Sequence, residues 1–270
     1  MKTSFKPSKN GVAPLREVIF DLGCHGYNHV SADKLYYADY EIEIKQAFEF
    51  LRFTFPEEKV LTYAAPYNTV TQEFLKYLDD YAIACRIGSS GEQANLSSDF
   101  DMYRIKSFTL SESTDYSALQ EVIDILVNKG DWIVQLLHTV TAGEPYESVG
   151  TSKSTLDAHC KALYEKYNGR VWFASFQDVA IYATQLKNTV ITPTEFTQNT
   201  MSFTVTCSLD KEVYNSPVTI KLYVPSKAST VTLSVNGEVQ NTTVESDENG
   251  CFVLANVACV WDSLITVRCE

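Results

Sequence analysis

The sequence predicts an α/β unit over roughly residues 1–190, followed by a small all-β unit over 191–270. Up to Lys187, helical apolar periodicity alternates with short apolar runs; beyond it the periodicity stops and β-branched runs divided by turn residues take over. Leu15, Val18, Ile19 and Leu22 keep i, i+3, i+4, i+7 spacing and predict an amphipathic helix that Gly23 ends. Further helices are predicted over Asp39–Phe53, over Thr71–Tyr81 with Phe74, Leu75 and Leu78 on one face, and over Ala118–Asn128 with Gly130 closing it. Between them, Val60–Tyr63, Ile83–Ile87, Trp132–Leu137 and Val171–Ala174 read as strands. Such alternation suits a barrel or a doubly wound sheet. In the second unit, strands are predicted at Ser202–Ser208, Val218–Val224, Thr230–Val235, Thr242–Glu245, Phe252–Val257 and Ser263–Val267, with Asn236-Gly237 and Asn249-Gly250 as turns. That spacing reads as an immunoglobulin-like sandwich.

Charge narrows the partners. The chain carries 34 acidic against 22 basic residues, net −12, which disfavours nucleic acid and anionic membrane surfaces. No run approaches the roughly 18 apolar residues of a membrane span, and no signal peptide is visible at the start. None of the seven cysteines forms a CxxC pair. Four fall after residue 206, where a disulfide and buried free thiols are both open readings.

The chemistry gathers around histidine. His25 and His29, with three residues between them in Gly23-Cys24-His25-Gly26-Tyr27-Asn28-His29, can present two imidazoles to one zinc-like ion at about 2.0–2.1 Å. Two histidines leave the site incomplete, and a polar loop is the competing description. His138 ends the apolar run Trp132–Leu137, which places it at the C-terminal edge of a strand, where α/β barrels keep their active sites; a core or capping histidine is the alternative. In Ala64-Ala65-Pro66-Tyr67, proline fixes a strand-to-helix turn and can aim the next backbone N–H at a ligand. His159 lies in a helical stretch and reads as solvated or structural.

Taken in order, these segments resemble the motifs of the polysaccharide deacetylases of the NodB-homology class, carbohydrate esterase family four. His25-Gly26-Tyr27-Asn28-His29 is similar to H-[S/T]-x-x-H, with Gly26 where serine or threonine is usual. Ala64-Ala65-Pro66-Tyr67 is similar to R-x-P-[Y/W], with Ala64 in place of the arginine, and Leu136-Leu137-His138 to L-x-H. Trp172–Phe176 with Val179, Ala180 and Tyr182 is similar to the closing strand and helix. The resemblance covers roughly residues 1–187. It lacks the opening T-F-D-D motif, which supplies the catalytic base and the third metal ligand: only 24 residues precede His25, and Lys2-Thr3-Ser4-Phe5 matches the strand after that motif at best. Asp79-Asp80 comes in the wrong order to replace it, and Asp21 is expected off the apolar face of its helix, in solvent.

The resemblance implies a distorted (β/α) barrel, incomplete at its N-terminus, that removes acetyl groups from an acetylated glycan or oligosaccharide in a secreted or cell-envelope setting. His25 and His29 would bind the divalent metal, zinc or else cobalt or nickel, in a site short of its aspartate. His138 would be the general acid and Tyr67 would stabilise the oxyanion through its N–H. Leu136 would line the acetyl pocket, and Pro66 would bind substrate beside it. Without its aspartates the chain is expected to be inactive or impaired, and an unpaired barrel edge would invite homo-oligomers. The alternative is a non-catalytic glycan-binding protein on the same scaffold.

Overall fold

Short apolar strands alternating with helices build a parallel sheet in the computed structural model, which describes residues 21–88, 95, 101–143, 149–226, 230–258 and 260–269. The sheet is an open, curled half-barrel in the order β1 (Thr62–Ala64), β2 (Ala84–Gly88), β3 (Ile105–Thr109), β4 (Gln135–Leu136), every pair parallel. Cys24 extends it beyond β1: its N–H donates to the Thr62 carbonyl (2.8 Å) and its carbonyl accepts from Ala64 N–H (2.8 Å), in a parallel bridge with Tyr63.

That bridge corrects the first predicted helix at its only described end. Leu15, Val18 and Ile19 lie outside the described residues, but Leu22 and Gly23 are not helical and run directly into a strand position. Asp21 is accordingly not a solvated helix residue. It is half-buried, hydrogen-bonded to Ser175, with one oxygen buried and unpartnered among the described residues. Burial, with the charge of Asp178 adding to it, raises its pKa.

The helices follow their apolar stripes. Tyr37–Asp39 forms a 3₁₀ turn, Glu41–Gln46 a π-helical turn, and α1 (Ala47–Thr54) continues from it, burying Ala47 and Phe48. α2 (Gln72–Leu78) buries Phe74, Leu75 and Leu78, and its N-terminus is capped by Thr71, whose hydroxyl accepts from Phe74 N–H at 3.1 Å. α3 (Tyr116–Lys129) starts on the Asp115 cap and ends at Gly130, whose φ of 76° gives the left-handed turn that glycine makes without strain. Val171–Ala174, predicted as a strand, pairs with no strand among the described residues. β3 was not predicted: Ile105-Lys106-Ser107-Phe108-Thr109 holds only two apolar residues, and its burial comes from its central place in the sheet.

After β5 (Val140–Thr141), which pairs in parallel with β6 (Thr151–Ser152), comes α4 (Lys153–Tyr167). Its start is clamped by Glu112, whose carboxylate accepts from Ser152 N–H (2.8 Å) and the Thr155 hydroxyl (2.7 Å). The Ser152 N–H, followed by the Thr155 hydroxyl, holds the Glu112 pKa below the ordinary glutamate value. A depressed native pKa contributes stability above the unfolded value of about 4.3, which is lost as pH falls through the native value. The stability gap between the native chain and Glu112→Gln is therefore expected to be largest near neutrality and to close in acid, as read by urea unfolding across that range. A gap independent of pH would show that the carboxylate charge is not what holds the clamp. Of the two readings of His159, solvated or structural, the structure bears out the second: it is buried in α4, its Nε2 2.9 Å from the Gln135 side-chain amide and its ring against Tyr116.

The contact boundary falls at Ala180–Ile181, within α5 (Phe176–Lys187). Beyond it lie two antiparallel sheets. One, in the order β11-β10-β14-β8-β7, comprises β7 (Thr189–Phe196), β8 (Thr200–Cys207), β10 (Val231–Val235), β11 (Glu238–Gln240) and β14 (Ser263–Cys269). The other, β12-β13-β9, comprises β9 (Val218–Tyr223), β12 (Glu245–Asp247) and β13 (Gly250–Val257). Alternate residues of both, among them Val205, Ile220, Leu233, Val253 and Val267, enter one apolar cluster, as period-two patterning requires. Asn236 and Gly237, both at positive φ, make the predicted hairpin turn between β10 and β11. Among the described residues no helix is long and apolar enough to cross a membrane.

Candidate functional site

The parallel strands bring the predicted site residues to one edge. His25 follows the Cys24 bridge, Pro66 and Tyr67 follow β1, and Leu136 lies on β4 with His138 just past it, so all leave the C-terminal ends of parallel strands. Open α/β sheets place ligands at that edge, because the loops there can converge without interrupting the ladder.

The two histidines of the H-x3-H segment lie side by side, with ring centroids 4.8 Å apart and planes at 70°. His25 Nδ1 is 2.7 Å from the Ala64 carbonyl oxygen. A carbonyl only accepts, so Nδ1 carries the proton and Nε2 keeps its lone pair; this is how a ligating or basic imidazole is oriented from behind. Crowding at the ring pushes the His25 pKa down, the bond to Ala64 opposes this, and the charges of His29, Arg86 and His138 push it further down. His138, an exposed residue, is thus within electrostatic reach of His25. The ring of His29 also meets that of Tyr67, centroids 4.8 Å apart.

Backbone strain concentrates here. Among the described residues, five that are not glycine have positive φ, and three of them are His29 (56°), Tyr67 (53°) and Asn68 (60°). Each such residue costs roughly 1–2 kcal/mol, so the surrounding contacts must hold them in place. The Tyr67 N–H donates to no acceptor among the described residues, which leaves it available to an oxyanion. Pro66, just after β1, is buried, and Leu136, on β4, is half-buried.

Two charged residues that sequence reasoning missed complete the arrangement. Glu43 is 3% exposed and accepts from Tyr27 N–H (3.1 Å), Asn28 N–H (3.1 Å) and Asn28 Nδ2 (2.5 Å), pinning the loop from His25 to His29. The π-helical turn Glu41–Gln46 carries it there. Its signal was in the text: Tyr40, Glu43, Ile44 and Ala47 share the i, i+3, i+4, i+7 stripe, and a carboxylate on a buried stripe must have partners. Arg86, the lone charge in Ala84–Gly88, is the register partner of Ala64, where the motif arginine would stand. Its Nη1 donates to Asn68 Oδ1 at 2.6 Å, and half-burial lowers its pKa. Asn68 in turn packs so closely on Gly88 that an added Cβ would lie 2.4 Å from its side chain, so only glycine fits there.

A zinc-like ion would find two imidazoles side by side in His25 and His29, the first with its Nε2 lone pair left open by the Nδ1 bond to Ala64. Among the described residues no third histidine, cysteine or carboxylate converges on them. Glu43 faces the loop's amides from behind. The described residues thus offer a divalent ion two imidazoles and no complete ligand set. In comparisons with known proteins, no family model and no curated protein matches this sequence.

Proposed function

We propose that this edge is a hydrolytic site of the polysaccharide deacetylase type, acting on acetyl groups of a glycan and impaired because no carboxylate base joins it among the described residues. The observation that carries the reading is the ring-to-ring cluster of His25, His29 and Tyr67 at one end of a parallel sheet, with His138 leaving the same edge within electrostatic reach of His25. In this reading the curled sheet belongs to a distorted (β/α) barrel, the two antiparallel sheets form an immunoglobulin-like sandwich, and the glycan lies outside the cytoplasm.

His25 and His29 would hold a divalent ion, which when bound polarises the acetyl carbonyl and acidifies water. The Tyr67 N–H would donate to the developing oxyanion, and His138 would protonate the departing amine or alkoxide. Pro66 and Leu136 would pack on the acetyl methyl group. Losing a general base typically costs about 10²–10⁴ in rate. Acetate release from acetylated chito-oligosaccharides or xylan fragments with added zinc, cobalt or nickel is therefore expected to be slow yet detectable above a protein-free control, and it should vanish in His25→Ala. Fast turnover would show that another carboxylate serves as base; turnover that survives His25→Ala would remove the site from the reaction.

A second reading, glycan binding without hydrolysis, is favoured by the absence of a third ligand among the described residues. Binding of an acetylated oligosaccharide with no acetate release under any metal would select it.

A further inference from the structure

The guanidinium of Arg86 is a half-buried cation held at this edge by Asn68, with its charge felt at His25. Among the described residues it pairs with no carboxylate; its one hydrogen bond is from Nη1 to Asn68 Oδ1. Glu43, the buried carboxylate behind the loop, is committed to the amides of Tyr27 and Asn28. A partly desolvated charge without a counter-ion is costly, and a ligand that supplies one relieves the cost on binding. Among the described residues the Nε–Nη2 edge of Arg86 makes no hydrogen bond, and it carries two parallel N–H donors, the geometry that matches the two oxygens of a carboxylate. One formal positive charge balances one such group.

The surroundings suit a sugar as the carrier. Tyr27 (56% exposed) and Tyr67 (66%) flank the histidines with rings that are apolar on their faces and polar at their tips. The Arg86 main chain is fixed as well: its carbonyl accepts from Ala65 N–H at 2.9 Å, tying it to the Pro66–Tyr67 turn. We propose that Arg86 makes this site a receptor for the carboxylate of an acidic sugar, a uronic-acid-bearing glycan rather than a neutral one. This rests on the glycan reading above but not on catalysis.

Calorimetric titration of the full chain with digalacturonic acid, its dimethyl ester, diacetylchitobiose and inorganic phosphate tests it. The acid is expected to bind at least about tenfold more tightly than the ester, since neutralising the carboxylate forfeits a charge-assisted pair. Arg86→Gln should erase that difference, and Arg86→Lys, which keeps the charge but loses the fork, should retain only part of it. Equal affinity for acid and ester, a preference that survives Arg86→Gln, or phosphate binding as tightly as the acid would each overturn the proposal. Should Arg86→Gln melt early, Arg86→Lys and the acid–ester comparison on the native chain decide. Acetate release from diacetylchitobiose, followed in parallel, separates the two readings: acid preference without release keeps the receptor and sinks the hydrolase, and release without acid preference does the reverse.

Discussion

Glu43→Ala is expected to destabilise the α/β unit by about 2–4 kcal/mol and to scatter the two histidines. The carboxylate is 3% exposed and accepts from Tyr27 N–H, Asn28 N–H and Asn28 Nδ2. Leaving a buried donor unpaired costs about 1–3 kcal/mol, and the total is reduced here because Tyr27 and Asn28 are exposed enough to turn some amides to water. The His29 backbone, at φ 56°, has less to hold it once the loop is released. Glu43→Gln keeps the shape but turns an N–H towards other donors, so it should fall between the native chain and the alanine variant. Urea unfolding gives the energies, and the histidine ring proton shifts report the geometry. An alanine variant of native stability, with unmoved histidine shifts, would show that the loop holds itself.

Much of this site was legible in the sequence, and what escaped shares a physical cause. Periodicity located α2 and α3 because each buries a regular stripe and carries its cap in the chain itself, Thr71 and Asp115 at the N-termini and Gly130 at a C-terminus. The apolar runs located β1, β2 and β4, and the Asn236-Gly237 turn identified a hairpin, since both signals are local. β3 escaped because its burial is imposed by neighbours on both sides. The segment before His25 read as a helix because Leu15, Val18, Ile19 and Leu22 fit the 3.6-residue period, whereas Leu22–Cys24 is extended alongside β1. His25, His29, Tyr67 and His138 were legible as residue types in order. For Glu43 the stripe of Tyr40, Ile44 and Ala47 signals burial but not the loop it holds, and Arg86 was not legible because its role depends on the register Ala64↔Arg86, which no single segment encodes.

Gly26→Ser writes into the loop the residue type that the H-[S/T]-x-x-H motif carries, and it is expected to cost about 1–3 kcal/mol. Gly26 has φ 81°, where a residue with a Cβ loses roughly 1–2 kcal/mol. The added Cβ would also sit 3.1 Å from Glu43 Oε2 and 3.2 Å from the Tyr63 hydroxyl oxygen, so both must give by a few tenths of an ångström. Because Glu43 is the group being crowded, the two sites are coupled. Part of the serine penalty disappears when the carboxylate is already gone, so Gly26→Ser with Glu43→Ala should cost less than the sum of the two, by about 0.5 kcal/mol or more. Gly26→Ala separates the Cβ from the hydroxyl, which can recover some energy by donating to Glu43. Urea unfolding of the four-member cycle is the measurement. Strict additivity would mean that Gly26 and Glu43 do not touch, and a Gly26→Ser chain more stable than the native one would mean that residue 26 does not hold a positive φ in solution.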